Sequence, residues 1–350
     1  MTEHGSADRE PVREAVRTYA SRQPQLAAAT AAYVTLIRTL LDDAGIDYLS
    51  VTGRTKSVAS FAAKANRTED GKPLYPEPLE QITDQIGVRV ITYVHSDVAA
   101  VAELLADELT MLDDRDLGEE TARSGRFGYA SRHLLVRTTD PSDGVAPGKT
   151  EPEVAQGDVD QAELAGQRAS VQVRTVLQHA WAEFEHDIRY KGNVPEDAAA
   201  DLDRRFTLAA GLIELADREF ATIRERIQAA APGSTTEPEA DHIVGQELAT
   251  FLAGHYSDAG WSHTDHYDWI ADLLAELGID TVDDLGDLLT SVDADAVIRR
   301  MGYRYPAGAV RRLDDALLAI FGEQYVTLAG NSHRVPLLRA RLEKLSTPEG

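Results

Sequence analysis

Between Ser170 and Lys191 the chain passes directly from a segment of period two to one of period about 3.6, so a strand must run straight into a helix. No other stretch restricts the fold as much. In the strand, Ser170, Gln172 and Arg174 share one face while Val171 and Val173 point the opposite way. The apolar face requires a packed layer beneath it, which leaves the polar face for chemistry. Leu177, Trp181, Phe184 and Ile188 follow at helical spacing and predict a buried stripe, with His179, Glu183, His186 and Lys191 turned toward a cleft or water.

The flanking sequence predicts helices over Pro11–Ala20 and Gln25–Ala44, interrupted at Pro24. A strand is expected over Tyr48–Thr52 and a helix over Thr55–Asn66, then a loop from Arg67 to Glu77. Val88–Val94 reads as a strand, Asp97–Leu109 as a helix and Asp113–Arg126 as a charged loop. A further strand runs from Gly128-Tyr129 through Val136. Strands and helices are mixed without strict alternation, so the expected class is α+β, a mixed β-sheet surrounded by helices, with an all-α domain at the C-terminal end. The expected divisions are a helical flank at 1–44, the sheet domain with a trailing helix at 45–231, a linker at 232–240 and a helical domain at 241–346. Within the last, helices are expected over His266–Leu277, Thr281–Leu289, Asp293–Met301 and Ala309–Phe321.

A formal charge of -24 opposes general attraction to nucleic acid or anionic membrane, although a local basic pocket is compatible with it. The absence of cysteine excludes disulfide and thiolate chemistry. No run is long and apolar enough to span a membrane, and a cytoplasmic protein is expected.

Four clusters are suited to polyphosphate. Arg54, Lys56, Ser60 and Lys64 follow one another at a predicted helix start, with the last three along one helical face. Thr83-Asp84-Gln-Ile-Gly87-Val-Arg89 offers a metal-binding carboxylate and a guanidinium able to stack on a base. Phe127-Gly128-Tyr129-Ala-Ser131-Arg132-His133 joins a turn, an aromatic ring and polar groups. The fourth cluster is the polar strand face from Ser170.

In order and content these motifs resemble the synthetase domain of the RelA/SpoT family of alarmone synthetases, over roughly residues 45–192. The resemblance implies transfer of the β,γ-pyrophosphate of ATP to the ribose 3′-hydroxyl of GDP or GTP, in the manner of stringent-response enzymes. It implies that Arg54 and Arg89 sandwich the donor adenine, that Lys56, Ser60 and Lys64 hold donor phosphates, and that Asp84 binds Mg²⁺. Tyr129 matches the ring on which the acceptor guanine stacks, with Ser131 and His133 beside it. Gln172 and Arg174 match polar positions on the floor of the site. Members of the family often assemble, which makes a homo-oligomer an expectation by analogy, and the C-terminal domain is expected to regulate, oligomerise or bind a partner.

One position departs from the pattern: the family normally has a glutamate where this chain has Ser170, and a serine has neither the charge nor the basicity of that group. Two alternatives follow, a synthetase fold that binds nucleotide or a partner without turnover, and a pyrophosphokinase acting on the 3′ end of transfer RNA. His186-Asp187 lacks the context of a metal-dependent phosphohydrolase. His255, His263 and His266 fit no metal-binding spacing and read as structural histidines.

Overall fold

The computed structural model describes residues 10–123, 131–138, 161–191, 199–230, 242–303 and 307–346. It opens with α1 (Glu10–Ala44), followed by β1 (Ser50–Thr55), α2 (Val58–Ala65), β2 (Thr68–Glu69), β3 (Lys72–Pro73), α3 (Pro78–Gln81), β4 (Ile86–Thr92) and α4 (His95–Glu108). Next come β5 (Thr110–Asp116), α5 (Leu117–Arg123), β6 (Arg132–Arg137), α6 (Gln161–Leu164), β7 (Arg168–Thr175), α7 (Val176–Lys191) and α8 (Ala199–Ala230). The C-terminal helices are α9 (Gly245–His255), α10 (Thr264–Glu276), α11 (Val282–Leu289), α12 (Ala294–Met301), α13 (Ala309–Phe321), α14 (Glu323–Val326) and α15 (Val335–Ser346). No described helix is long and apolar enough to cross a membrane.

Five strands form a mixed sheet in the order β1-β4-β7-β6-β5, with β4 and β7 parallel and the other neighbours antiparallel. Strict alternation gives it two faces. Val51, Val88, Val90, Val171, Val173, Leu134 and Val136 fill one core with α1 and α4. Their alternates, Thr52, Arg54, Gly87, Arg89, Ser170, Gln172 and His133, occupy the opposite face. The predicted junction is present, β7 ending at Thr175 and α7 starting at Val176.

Several boundaries differ from expectation. Pro24 lies inside one continuous 35-residue helix, because Tyr19, Leu26, Ala29 and Tyr33 carry a single buried stripe past it and the loss of one hydrogen bond is tolerated. β1 extends through Arg54 and Thr55, and α2 starts only after Ser57 caps it, so Lys56 precedes the helix rather than sharing its face. The region expected as a charged loop holds the edge strand β5 and the helix α5, and the loop after Arg67 contains the small hairpin β2–β3. Phe184 and Ile188 are exposed: α8 buries α7 around Trp181 and Ala182, and Phe184 meets only the Phe206 ring among the described residues, with centroids 6.2 Å apart. Gly53 is required by packing: a Cβ there would lie 2.7 Å from Val34 and 2.8 Å from Thr30 of α1.

A second core runs from Ile243 to Leu345. These helices grip the C-terminal end of α1. Ser262 Oγ donates to the Gly45 carbonyl at 2.9 Å, and the Gly308 amide donates to the Ala44 carbonyl. Arg311 and Arg341 both pair with Asp43, and Arg341, fully buried, also binds Asp314 at 2.8 Å. The histidines here are structural in setting: His255 stacks on Phe251, His263 caps α10, and His266 faces Asp42 at 3.5 Å.

Candidate active site

The polar sheet face carries the predicted residues in two registered rows. Thr52, Arg89, Gln172, His133 and Arg115 lie side by side on five consecutive strands. One step along, Arg54, Gly87, Ser170 and Leu135 form the parallel row. Ser170 thus has a glycine on one side, which leaves space above the strand. Arg54 and Arg89 are diagonal neighbours on β1 and β4.

At the edge of this face Lys56 Nζ reaches Asp84 Oδ2 at 2.7 Å, and Lys64 Nζ reaches Oδ1 at 3.1 Å. Burial favours a neutral carboxyl, but the bond from Lys56 and the charge of Lys64 outweigh it and hold Asp84 below the usual carboxylate range. Lys56 is placed from behind by α1, where Tyr19 Oη and Gln23 Nε2 donate to its carbonyl at 2.6 and 2.8 Å. Tyr19 stacks on Phe61 of α2 with centroids 4.0 Å apart, fixing the helix that bears Lys64. Ser60 lies in the first turn of α2, where Ser57 Oγ accepts its amide and donates to its hydroxyl.

On the floor, Arg174 is buried and donates to Gln172 Oε1 at 2.6 Å. His133 is kept below its ordinary pKa, first by burial and then by the nearby Arg174, so it is neutral at pH 7. Ser131 is buried, and its hydroxyl has no partner among the described residues. Arg132 points to the other side and makes a two-pronged pair with Asp114 at 2.8 and 2.9 Å, a structural role on β5 and β6. Tyr129 lies outside the described residues, as do Phe127 and Gly128.

Helix α7 closes one end. Glu183 accepts from Arg89 at 2.9 Å, and His179 Nδ1 lies 3.8 Å from the same carboxylate oxygen. The junction itself is pinned by Thr175, whose hydroxyl donates to Asp217 of α8 at 2.9 Å. Tyr19, Gln23 and Asp217 were not legible as site residues, because each belongs to a helix distant in sequence and carries no motif. The i, i+4 pairing of Tyr19 with Gln23 is the one available signal.

Residues 53–194 match the region found in RelA and SpoT proteins. The GTP pyrophosphokinase YjbM of Bacillus subtilis (strain 168) is 31% identical over 205 residues, covering 55% of this chain and 81% of that protein. Small alarmone synthetase 1 from Bacillus subtilis, bound to its product pppGpp, aligns at 25% identity and a TM-score of 0.43, covering 61% of this chain and 99% of that one. A GTP pyrophosphokinase family protein from Streptococcus pneumoniae aligns at 24% identity and a TM-score of 0.39, covering 66% and 97%. The helical domain after residue 241 lies beyond the matched region. With 31% identity extending over most of the Bacillus kinase's length, the chain belongs to the RelA/SpoT family.

Proposed function

We propose that this chain is a GTP pyrophosphokinase that moves the β,γ-pyrophosphate of ATP onto the 3′-hydroxyl of GDP or GTP. The bond from Pβ to the α,β-bridging oxygen breaks, a bond from the ribose 3′-oxygen to Pβ forms, and AMP leaves while the hydroxyl proton passes to a base. The observation that carries this reading is the convergence of Lys56 and Lys64 on Asp84 beside the Arg54–Arg89 diagonal. Phosphoryl transfer depends on alignment and neutralisation of charge, and two lysines supply both.

The diagonal spacing of antiparallel neighbours, about 7–8 Å, matches a ring stacked on both faces at about 3.5–4.0 Å per side. Arg54 and Arg89 can therefore flank the donor base. Arg54 is exposed and makes no ion pair among the described residues, so it is available to a ligand. Gln172, Arg174, Ser131 and His133 form the acceptor side, to which Tyr129 is assigned as the stacking ring.

Asp84 suits Mg²⁺, an ion that takes one or two carboxylates and completes its shell with water and phosphate oxygens. When bound, the ion neutralises developing charge on the phosphates. Asp84 would hold the cation, and Lys56 and Lys64, now bonded to its carboxylate, would supply positive charge to the phosphate oxygens.

Ser170 supports a second reading, nucleotide binding without turnover, since no carboxylate stands at that point of the row. Incubation with γ-³²P-ATP and Mg²⁺ separates the readings, with GDP, GTP or transfer RNA as acceptor. Labelled guanosine product, lost in Asp84→Asn, is expected. Tight ATP binding with no transfer supports the second reading, and transfer to RNA in preference to GDP replaces the acceptor.

A further inference from the structure

Lys56 lies between the end of β1 at Thr55 and the cap of α2 at Ser57, a point at which neither strand nor helix pairing dictates the backbone. Its two peptide groups are nonetheless held. The Lys56 amide donates to the Gln85 carbonyl at 2.9 Å, and the Lys56 carbonyl accepts from Tyr19 Oη at 2.6 Å and Gln23 Nε2 at 2.8 Å. Two donors fill both lone pairs of that oxygen. Gln85 is secured in its turn, its Nε2 donating to the carbonyls of Leu79 at 2.6 Å and Ile82 at 2.9 Å. The residue before it, Asp84, receives the head of the same lysine at 2.7 Å. Lys56 is therefore fixed at its backbone and at Nζ by groups that are themselves fixed.

The donors from α1 are placed for this carbonyl. Tyr19 and Gln23 stand one turn apart on a face of α1. That helix keeps its position along β1 through Thr30 Oγ1, 2.7 Å from Thr55 Oγ1, and through its close approach at Gly53. Tyr19 is fully buried, and burial raises its pKa, so its hydroxyl stays a donor through the neutral range. Its ring lies parallel to that of Phe61 at 4.0 Å, three residues before Lys64 on α2. One side chain thus addresses both lysines, Lys56 through its hydroxyl and the helix of Lys64 through its ring. A long ammonium side chain loses rotamer freedom when it binds an anion, and a stem anchored in advance lowers that loss. We infer that Tyr19 and Gln23 are positioning residues for Lys56, aiming its ammonium at the donor triphosphate through their hold on its carbonyl. This inference rests on the reading of Lys56 as a group that binds donor phosphate.

A cycle of calorimetric binding measurements on the full chain tests it. The probe is the α,β-methylene analogue of ATP with Mg²⁺, in which carbon replaces the bridging oxygen that the transfer releases. Tyr19→Phe keeps the ring on Phe61 and loses only the hydroxyl, and it is expected to bind the analogue about 3- to 10-fold more weakly, the factor equivalent to one net hydrogen bond. Gln23→Met is expected to weaken binding in the same range. In a Lys56→Ala background neither substitution should weaken binding further, because residues that act through one group are not additive. Tyr33→Phe is the matched comparison: Tyr33 Oη of the same helix donates at 2.8 Å to the carbonyl of Gln167, just before β7. It loses an equivalent bond and should bind the analogue as the unmodified chain does. Equal losses in the two tyrosine variants, or a Tyr19→Phe loss that persists in full without Lys56, overturn the inference. Weakened binding in Lys56→Ala beside unaffected Tyr19→Phe and Gln23→Met overturns it alone, whereas unchanged binding in Lys56→Ala removes the reading of Lys56 and the inference with it.

Discussion

Arg89 and Glu183 stand 2.9 Å apart, joining the interior strand β4 to the helix that continues from its neighbour β7. The pair fixes the direction of a guanidinium that would otherwise sweep across the open sheet face. Both partners are substantially solvated, so the bond sets orientation more than stability. Glu183→Ala is expected to raise KM for ATP by about 2- to 5-fold, the factor equivalent to an exposed ion pair, with kcat nearly unchanged. Steady-state kinetics with ATP varied at saturating GDP checks the split.

Ser170 faces Gly87 across β4, so a longer side chain has room on that row. Ser170→Glu should fold normally and restore a base beside the reacting hydroxyl. Its kcat is expected to rise at least to the lower end of general-base assistance, about 10²-fold. A rate equal to that of the unmodified chain in the same label-transfer assay would show that another group takes the proton.

Asp47, at the contact between the two cores, is raised to about 7 by burial and then by the neighbouring Asp97, against the opposing charges of Arg224 and His266. A carboxyl whose folded pKa exceeds its unfolded value binds its proton more tightly when folded. Its contribution therefore weakens as pH rises from about 4 toward about 7 and is constant above that. Asp47→Asn is expected to melt a few degrees higher than the unmodified chain at pH 8 and at the same temperature near pH 4. Thermal melts at the two pH values test the sign.

Arg341 is buried among Asp43, Asp314 and Asp315. Arg341→Met removes one charge and leaves the acids to Arg311 and Arg334. The expected loss is about 3 kcal/mol, the lower end for breaking a buried pair, read as a reduced midpoint in chemical denaturation.

Much of the sheet was legible because alternation is a local property. Val171 and Val173 against Gln172 and Arg174 determine which face of β7 is buried, and the helical period begins immediately after Thr175. β5 was not legible: its Asp113, Asp114, Arg115 and Asp116 are turned largely to solvent, and an edge strand with charged side chains lacks the apolar alternation that identifies a strand. Motif order was sufficient to collect Lys56, Lys64 and Asp84 in one place. It could not supply Tyr19 and Gln23, whose contact with Lys56 depends on α1 lying behind β1, a relation fixed by Gly53 and the helix stripe. For Phe184 and Ile188 the helical period was read correctly, yet both are exposed, because periodicity alone does not say whether any layer covers the stripe.

One rod connects what the primary structure separates by more than two hundred residues. At its far end α1 gives Asp43 and the Ala44 and Gly45 carbonyls to the C-terminal helices, and nearer its start it supports the backbone of Lys56. A chain cut after Ala231 would uncover an acid and two carbonyls on a member that also supports Lys56. The C-terminal helices are thus a mechanical footing of the strand end that carries Lys56, joined to it through α1 and packed through α9 on α8 as well.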